Sequence, residues 1–303
     1  MVALKPLRFS ATSDRIQQTV ALLHRRGYAL TPERLAAVCL GGCISPEEVR
    51  WAVAASPDLV MADDLVVDRS ALSRVAEIRS RALDHGTDAA AYVQMTLRFV
   101  GALVAAAPFI RSVSIAGSLA SGGFRSSDDV DLNLIVDDGH RHLAYVAVSG
   151  LGLVHALAHR NKPVDDLTRR PVAPRLMTAN LILERSQCRP LARQDEDMAF
   201  ELMMALPIYG IDELSELLDA NPLLLEHFPQ LAEEPPAPLI DTPAVRLPAA
   251  LFPRFLDGAA RMLGESAWRY MQWTRRHHPE ALQRVAYVRS TMRPYTLFDR
   301  SFG

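Results

Sequence analysis

The sequence predicts an α+β fold: a small mixed sheet with helices, preceded by a helical module that ends in a hairpin and followed by a helical region. Three observations predict it. Two apolar runs of strand character, 113–116 and 130–136, flank a loop rich in Gly and Ser. Cap-proline-acid signals at Thr31-Pro32-Glu33 and Ser45-Pro46-Glu47 open short periodic runs near the N-terminus. Beyond residue 210 the pattern is helical again, at 212–218 and 251–271. These shifts divide the chain into 1–70, 71–210 and 211–303.

The first helix is expected over 13–26, where Ile16, Val20, Leu22 and Leu23 make an apolar stripe and Gly27 stops it. Helices over 34–40 and 46–55 follow the two proline caps, separated by Gly41-Gly42. Leu59-Val60-Met61 and Leu65-Val66-Val67 around Ala62-Asp63-Asp64 read as a hairpin. Three short helices and a hairpin resemble a winged-helix module, a fold that often docks a helix in DNA. The third helix carries only Arg50 against Glu47 and Glu48, a poor surface for DNA, so a packing or partner-docking role is preferred.

Residues 70–107 read as one long helix, or two broken at Gly86, ended by Pro108. The strand beyond it breaks at Gly117-Ser118. The chain then runs through the Gly/Ser loop and re-enters a strand at Val130, with Asp129 and Asp131 on either side of it. In a strand, side chains two apart share a face, so the two aspartates project together. Paired carboxylates repel unless a cation lies between them. Hard divalent cations such as Mg2+ bridge one or two carboxylates to substrate phosphates. A glycine lets backbone approach a phosphate, and Ser118 offers a hydroxyl and an amide. Gly-Ser, ten residues, then Asp-x-Asp is therefore read as a nucleotide-triphosphate and metal site, against the simpler reading of a hairpin with surface aspartates.

Gly117-Ser118-Leu119-Ala120 followed by Ser127-Asp128-Asp129-Val130-Asp131-Leu132 resembles the signature of the DNA polymerase β-like nucleotidyltransferase superfamily. The resemblance implies that Gly117 and Ser118 hold the triphosphate and that Asp129 and Asp131 bind two Mg2+ ions. It further implies transfer of a nucleoside monophosphate from an NTP, with ATP the expected donor, and release of pyrophosphate. Arg125 is the expected loop contact to the nucleotide. Members of that superfamily usually bring a third carboxylate from a neighbouring strand. Here the next strand, 176–183, has no mid-strand aspartate; simple alternation puts Thr178, Asn180, Ile182 and Glu184 on one face, which leaves Asn180 and Glu184 as the candidates. The stretches 175–185 and 201–210 are also similar to a bacterial group of nucleotidyltransferase-domain proteins that have a winged-helix-like front end, with Asn180 the matching residue of the strand.

After the second strand, 142–160 is an apolar helix expected to pack on the sheet. Its His155 and His159 have metal-ligand spacing but lack a His-Glu-x-x-His pattern, so packing roles are preferred. A helix over 195–205 closes at Pro207-Ile208-Tyr209-Gly210, with Tyr209 read as a core aromatic rather than a base-stacking one. Residues 233–238 are a Pro-rich acidic linker. Trp273, Arg275, Arg276, His277 and His278, then Arg284, Arg289 and Arg293, interleave basic and aromatic residues that can bind phosphate or equally face solvent.

The net charge of −2 gives no argument for wholesale nucleic-acid binding, so a small-molecule or protein acceptor is favoured. Three cysteines, Cys39, Cys43 and Cys188, do not make a disulfide framework. No signal peptide or uninterrupted apolar span of bilayer length stands out, and a cytoplasmic location is expected. Besides the transferase, two functions compete. One is an NTP-binding regulator that has lost turnover, motivated by the missing mid-strand aspartate. The other is a toxin-like tRNA nucleotidyltransferase, motivated by the basic C-terminal helices.

Overall fold

The computed structural model describes residues 11–163, 176–233 and 237–275. Arg169, Arg170 and Arg175 lie outside the described residues, as do residues 276–303 with their basic clusters and the centre of the acidic linker.

The N-terminal elements follow their caps. Helix α1 spans Thr12–Arg25 and buries Ile16, Val20, Leu22 and Leu23, the stripe its periodicity predicts. Thr31 accepts a hydrogen bond from the Arg34 amide to open α2, Pro32–Ala37. Ser45 and Glu48 form a reciprocal capping box on α3, Pro46–Ala55. Strands β1 (Leu59–Ala62) and β2 (Leu65–Asp68) pair antiparallel across a turn in which Asp63 and Asp64 both have positive φ, the geometry two-residue hairpin loops favour. Leu30 bridges Val66 and adds a third short piece to this hairpin.

A 3-10 turn leads into α4, Val75–Ala106, which continues through Gly86 without a break. The run 69–106 is long and apolar enough to cross a membrane by length and composition alone, a test the core helix of a soluble protein also passes. Its second half buries Phe99, Val100, Leu103 and Val104 against the sheet. Each such side chain contributes about 1.5–3 kcal/mol by leaving water.

The central sheet has the order β5-β4-β3-β6. Strands β3 (Ile110–Ala116) and β4 (Val130–Val136) are antiparallel, joined through α5 (Gly117–Ser121) and the Gly/Ser loop. Helix α6, Arg141–Ala158, carries the chain from β4 towards β5, Met177–Glu184, which pairs parallel to β4. Helix α7, Glu196–Met204, is capped by Asp195 and leads to β6, Leu206–Tyr209. Residues 207–209 of the expected helix stop thus belong to an antiparallel edge strand on β3, with Pro207 at the edge where its missing N–H is tolerated. Helices α8 (Ile211–Asp219), α9 (Pro222–His227) and α10 (Leu256–Arg275) complete the described fold.

Each face of the sheet has its own apolar layer. On one side Val113, Ile115, Leu132 and Leu134 meet α4 and α6. On the other, Ile135, Leu181 and Leu183 join Met198 and Phe200 of α7 and the core of α1–α3. This second face also carries Asp131 and Asn133, which precede Ile135 in alternation on β4. The N-terminal helices therefore pack on the face that holds the aspartate.

Simple alternation fails on β5. Leu132 pairs with Ala179 and Asn133 with Leu181, so Asn180 is the extra residue of a bulge. The bulge reverses the facing of every residue beyond it. Ile182 joins the α4/α6 layer, Leu181 and Leu183 take the other, and Glu184 no longer shares a face with Thr178. The expectation that Thr178, Asn180, Ile182 and Glu184 line one face is corrected accordingly.

Candidate functional site: the Gly-Ser turn and the acidic strand

Strand β3 ends at Ala116, directly opposite Asp131. The chain then turns sharply, with Gly117 at φ +63°. A Cβ at Gly117 would collide with the Asp131 carboxylate, whose Cγ would lie 3.1 Å away. Glycine is therefore required twice here, for its backbone angle and for the carboxylate that lies against it. Thr178, opposite Asp131 on β5, donates its hydroxyl to Asp131 Oδ1 at 3.0 Å. Asp131 is half-buried, fixed on one oxygen by Thr178 and turned towards the Gly-Ser turn by the other.

Asp129 is half-buried and stands just before Val130, the first paired residue of β4, which is itself fully buried. Lys162, in the turn after α6, lies beside it. Burial pushes the Lys162 ammonium down from its ordinary pKa, while Asp129 and Asp128 pull it back up. The ammonium donates to the Asp128 carbonyl at 2.7 Å. Lys162 also lines an open depression of about 480 Å³ with Tyr92, Met95, Leu157, His159 and Leu176.

The loop between turn and strand is organised by Asp128, which lies within the motif but was assigned no role by it. Its Oδ2 accepts from the Arg125 amide at 3.1 Å, the Arg81 guanidinium at 3.2 Å and the Ser118 hydroxyl at 3.3 Å. The Ser118 hydroxyl, expected to face a triphosphate, is thus held by Asp128, its loop neighbour. Arg125 differs from expectation more strongly. Its guanidinium pairs with Asp84 at 3.1 Å and reaches the Glu77 carbonyl at 3.4 Å, both on α4.

The two β5 candidates part company. Asn180 donates from Nδ2 to Asn133 Oδ1 and to Glu201 Oε1, each at 2.9 Å. Asn133 Nδ2 donates to the same Glu201 oxygen at 3.3 Å. Asn133 is two residues beyond Asp131 on the same face of β4, so this network adjoins the aspartate. Glu184 does not join it. It pairs with Val136 at the opposite end of the strand, six residues or roughly 20 Å from Thr178, and accepts the Gly139 amide at 2.9 Å. As a candidate third carboxylate for this turn, Glu184 is corrected to a loop anchor.

Several partners are not evident in the sequence alone: Asp128, Thr178, Lys162, Arg81, Asn133 and Glu201. Asn133 had a signal, continuing the alternation of Asp129 and Asp131. Glu201 had none, because its place depends on how α7 lies on the sheet.

The two carboxylates are a donor set of the kind a hard cation takes. Asp129 and Asp131 supply carboxylate oxygens, and among the described residues no group of three His, Cys, Asp or Glu side chains could hold a metal ion alone. Mg2+ suits such a pair, because it keeps water and phosphate oxygens in its shell and seldom uses an all-protein cage. His155 and His159 take the expected packing roles. His155 stacks edge-on against Phe99, and His159 Nδ1 bonds the His155 carbonyl at 2.9 Å.

Compared with protein-family models, curated proteins and solved structures, the chain matches none.

Proposed function

We propose that the chain is a Mg2+-dependent nucleotidyltransferase of the DNA polymerase β-like type, with a winged-helix-like N-terminal module. It would move a nucleoside monophosphate from an NTP, ATP being the expected donor, to an acceptor hydroxyl. The observation that carries the reading is the Asp131 carboxylate lying directly against Gly117 of the Gly-Ser turn. A triphosphate seated on that turn would have its phosphates beside the two carboxylates.

In the balanced reaction an acceptor oxygen bonds to the α-phosphorus as the bond to the bridging oxygen breaks. Pyrophosphate leaves with that electron pair, and the acceptor proton passes to solvent. Mg2+, in two ions, would supply charge neutralisation between the phosphates and the carboxylates. Asp129 and Asp131 would hold it, and Thr178 would keep Asp131 in its rotamer through the bond to Oδ1. The Gly117 and Ser118 amides would position the triphosphate, the Ser118 hydroxyl exchanging Asp128 for a phosphate oxygen.

A small-molecule or protein acceptor is favoured over nucleic acid. On α3, Arg50 is already paired with Glu33 and Glu47, which removes the one cation that helix could offer DNA. The test is pyrophosphate release from each of the four NTPs with Mg2+, comparing the native chain with Asp129→Ala and Asp131→Ala. Release that depends on both aspartates is expected; equal release by all three proteins would rule the reading out.

A second reading has its own support. Asn180, where a third carboxylate would serve, is committed to Asn133 and Glu201. An NTP-binding regulator without turnover would be stabilised thermally by NTP, by mass action, and would release no pyrophosphate.

A further inference from the structure

The Gly-Ser turn belongs to the sheet, yet two side chains of the N-terminal helical unit press on the loop just beyond it. At Gly122, φ +97°, a Cβ would lie 2.6 Å from Arg34 Nη1. At Gly123 a Cβ would lie 2.9 Å from the Tyr28 ring. Bare backbone at both positions lets α2 and the segment before it close onto the turn.

The other cations here are engaged. Arg81 pairs with Asp128, Arg125 with Asp84, and Lys162 bonds the Asp128 carbonyl beside Asp129. His85 is held below its ordinary pKa, by burial first and the Arg34 charge next, and its Nδ1 accepts the Phe124 amide at 3.4 Å. The Arg34 guanidinium is different. It is exposed and, among the described residues, has neither a carboxylate nor a carbonyl partner. It stands at the end of α5, a helix of five residues and thus about 7 Å long, whose first two residues are Gly117 and Ser118. That places a planar, five-donor cation within one side-chain length of the turn.

We propose that Arg34 is a polyphosphate-binding residue of the nucleotide site, so that a bound triphosphate bridges the N-terminal unit and the sheet. The inference rests on the nucleotide reading above and adds to it a binding residue from outside the sheet. A triphosphate and the two aspartates together carry more negative charge than two divalent ions neutralise. A guanidinium with no internal partner matches the phosphate oxygens left over, and its fork suits them bidentately.

Calorimetric titration with inorganic tripolyphosphate, and separately with ATP and Mg2+, tests this on the full chain. Arg34→Ala should weaken both by about tenfold or more, the scale of a charge-assisted hydrogen bond, with Arg34→Lys recovering part of the loss. Arg79→Ala, which removes an equal charge from a surface pair with Asp63, should leave both unchanged. Unliganded melting temperatures of the variants should match the native chain, since Arg34 is exposed. Undiminished binding by Arg34→Ala, or an equal loss in Arg79→Ala, overturns the role of Arg34 alone. Failure of the native chain to bind either ligand overturns the nucleotide reading and this inference with it.

Discussion

Asp131 lies so close to Gly117 that no side chain fits between them, although 13 residues separate the two in sequence. Antiparallel pairing of Ala116 with Asp131 brings them together, and Thr178 fixes the carboxylate from the other side. Gly117→Ala should therefore act twice. The left-handed backbone angle costs about 1–2 kcal/mol for a residue with a Cβ. The methyl also displaces the carboxylate, and for the proposed transferase a shift of about 1 Å would cost roughly a hundredfold in rate. Urea unfolding and pyrophosphate release measure the two effects separately, and the second should be the larger.

Gly86 provides the contrast. It sits in the interior of α4 with open space where a Cβ would go, and its φ is ordinary. Gly86→Ala should raise the unfolding free energy by about 0.5–1 kcal/mol, through lower chain entropy in the unfolded state. A fall in the urea midpoint would contradict this account.

Glu201 accepts from both Asn133 and Asn180 through one oxygen. Glu201→Ala leaves the buried Asn133 amide and the half-buried Asn180 amide without that acceptor and should cost about 1–3 kcal/mol. Glu201→Gln retains a carbonyl oxygen and should cost less. The order of the two urea midpoints checks it.

Asp257 of α10 caps α6 from outside. It accepts from the His142 amide at 2.8 Å, the Leu143 amide at 2.9 Å and the His142 ring at 2.7 Å, where α6 has no side-chain cap of its own. Burial pushes its carboxyl up, but the bonds from His142 and Leu143 outweigh it and hold the pKa below the ordinary value. The folded pKa is thus below the unfolded one. Its contribution to stability is full above about pH 4 and fades as the pH falls through the folded value. Asp257→Asn should be destabilised relative to the native chain at pH 7, and the gap should close only below about pH 4. Midpoints measured across that range decide it.

The thiols divide by burial. Cys39 and Cys188 are buried, and burial raises both pKa values, that of Cys188 to about 12. Cys43 is exposed. Iodoacetamide at pH 8 should label one cysteine in the native chain and three in urea, and mass spectrometry should locate the native label at Cys43.

Much of this chain was legible along its length. Thr31, Ser45 and their prolines set the starts of α2 and α3, and the stripe of α1 is the stripe that is buried, because caps and helical periodicity depend on residues three or four apart. The Gly117-Ser118 break and the strand carrying Asp131 were legible because a glycine turn and an apolar strand run are also local signals. The packing of the sheet decided the rest. A bulge at Asn180 turned Glu184 away, since register depends on which strand lies alongside. Residues 206–209 became an edge strand because β3 had an open side to pair. Asp128, Glu201 and Arg34 acquired their places only when loop, helix and N-terminal unit closed over one end of the sheet. Contacts between elements distant in the chain are set by packing energy that no local pattern of residues records.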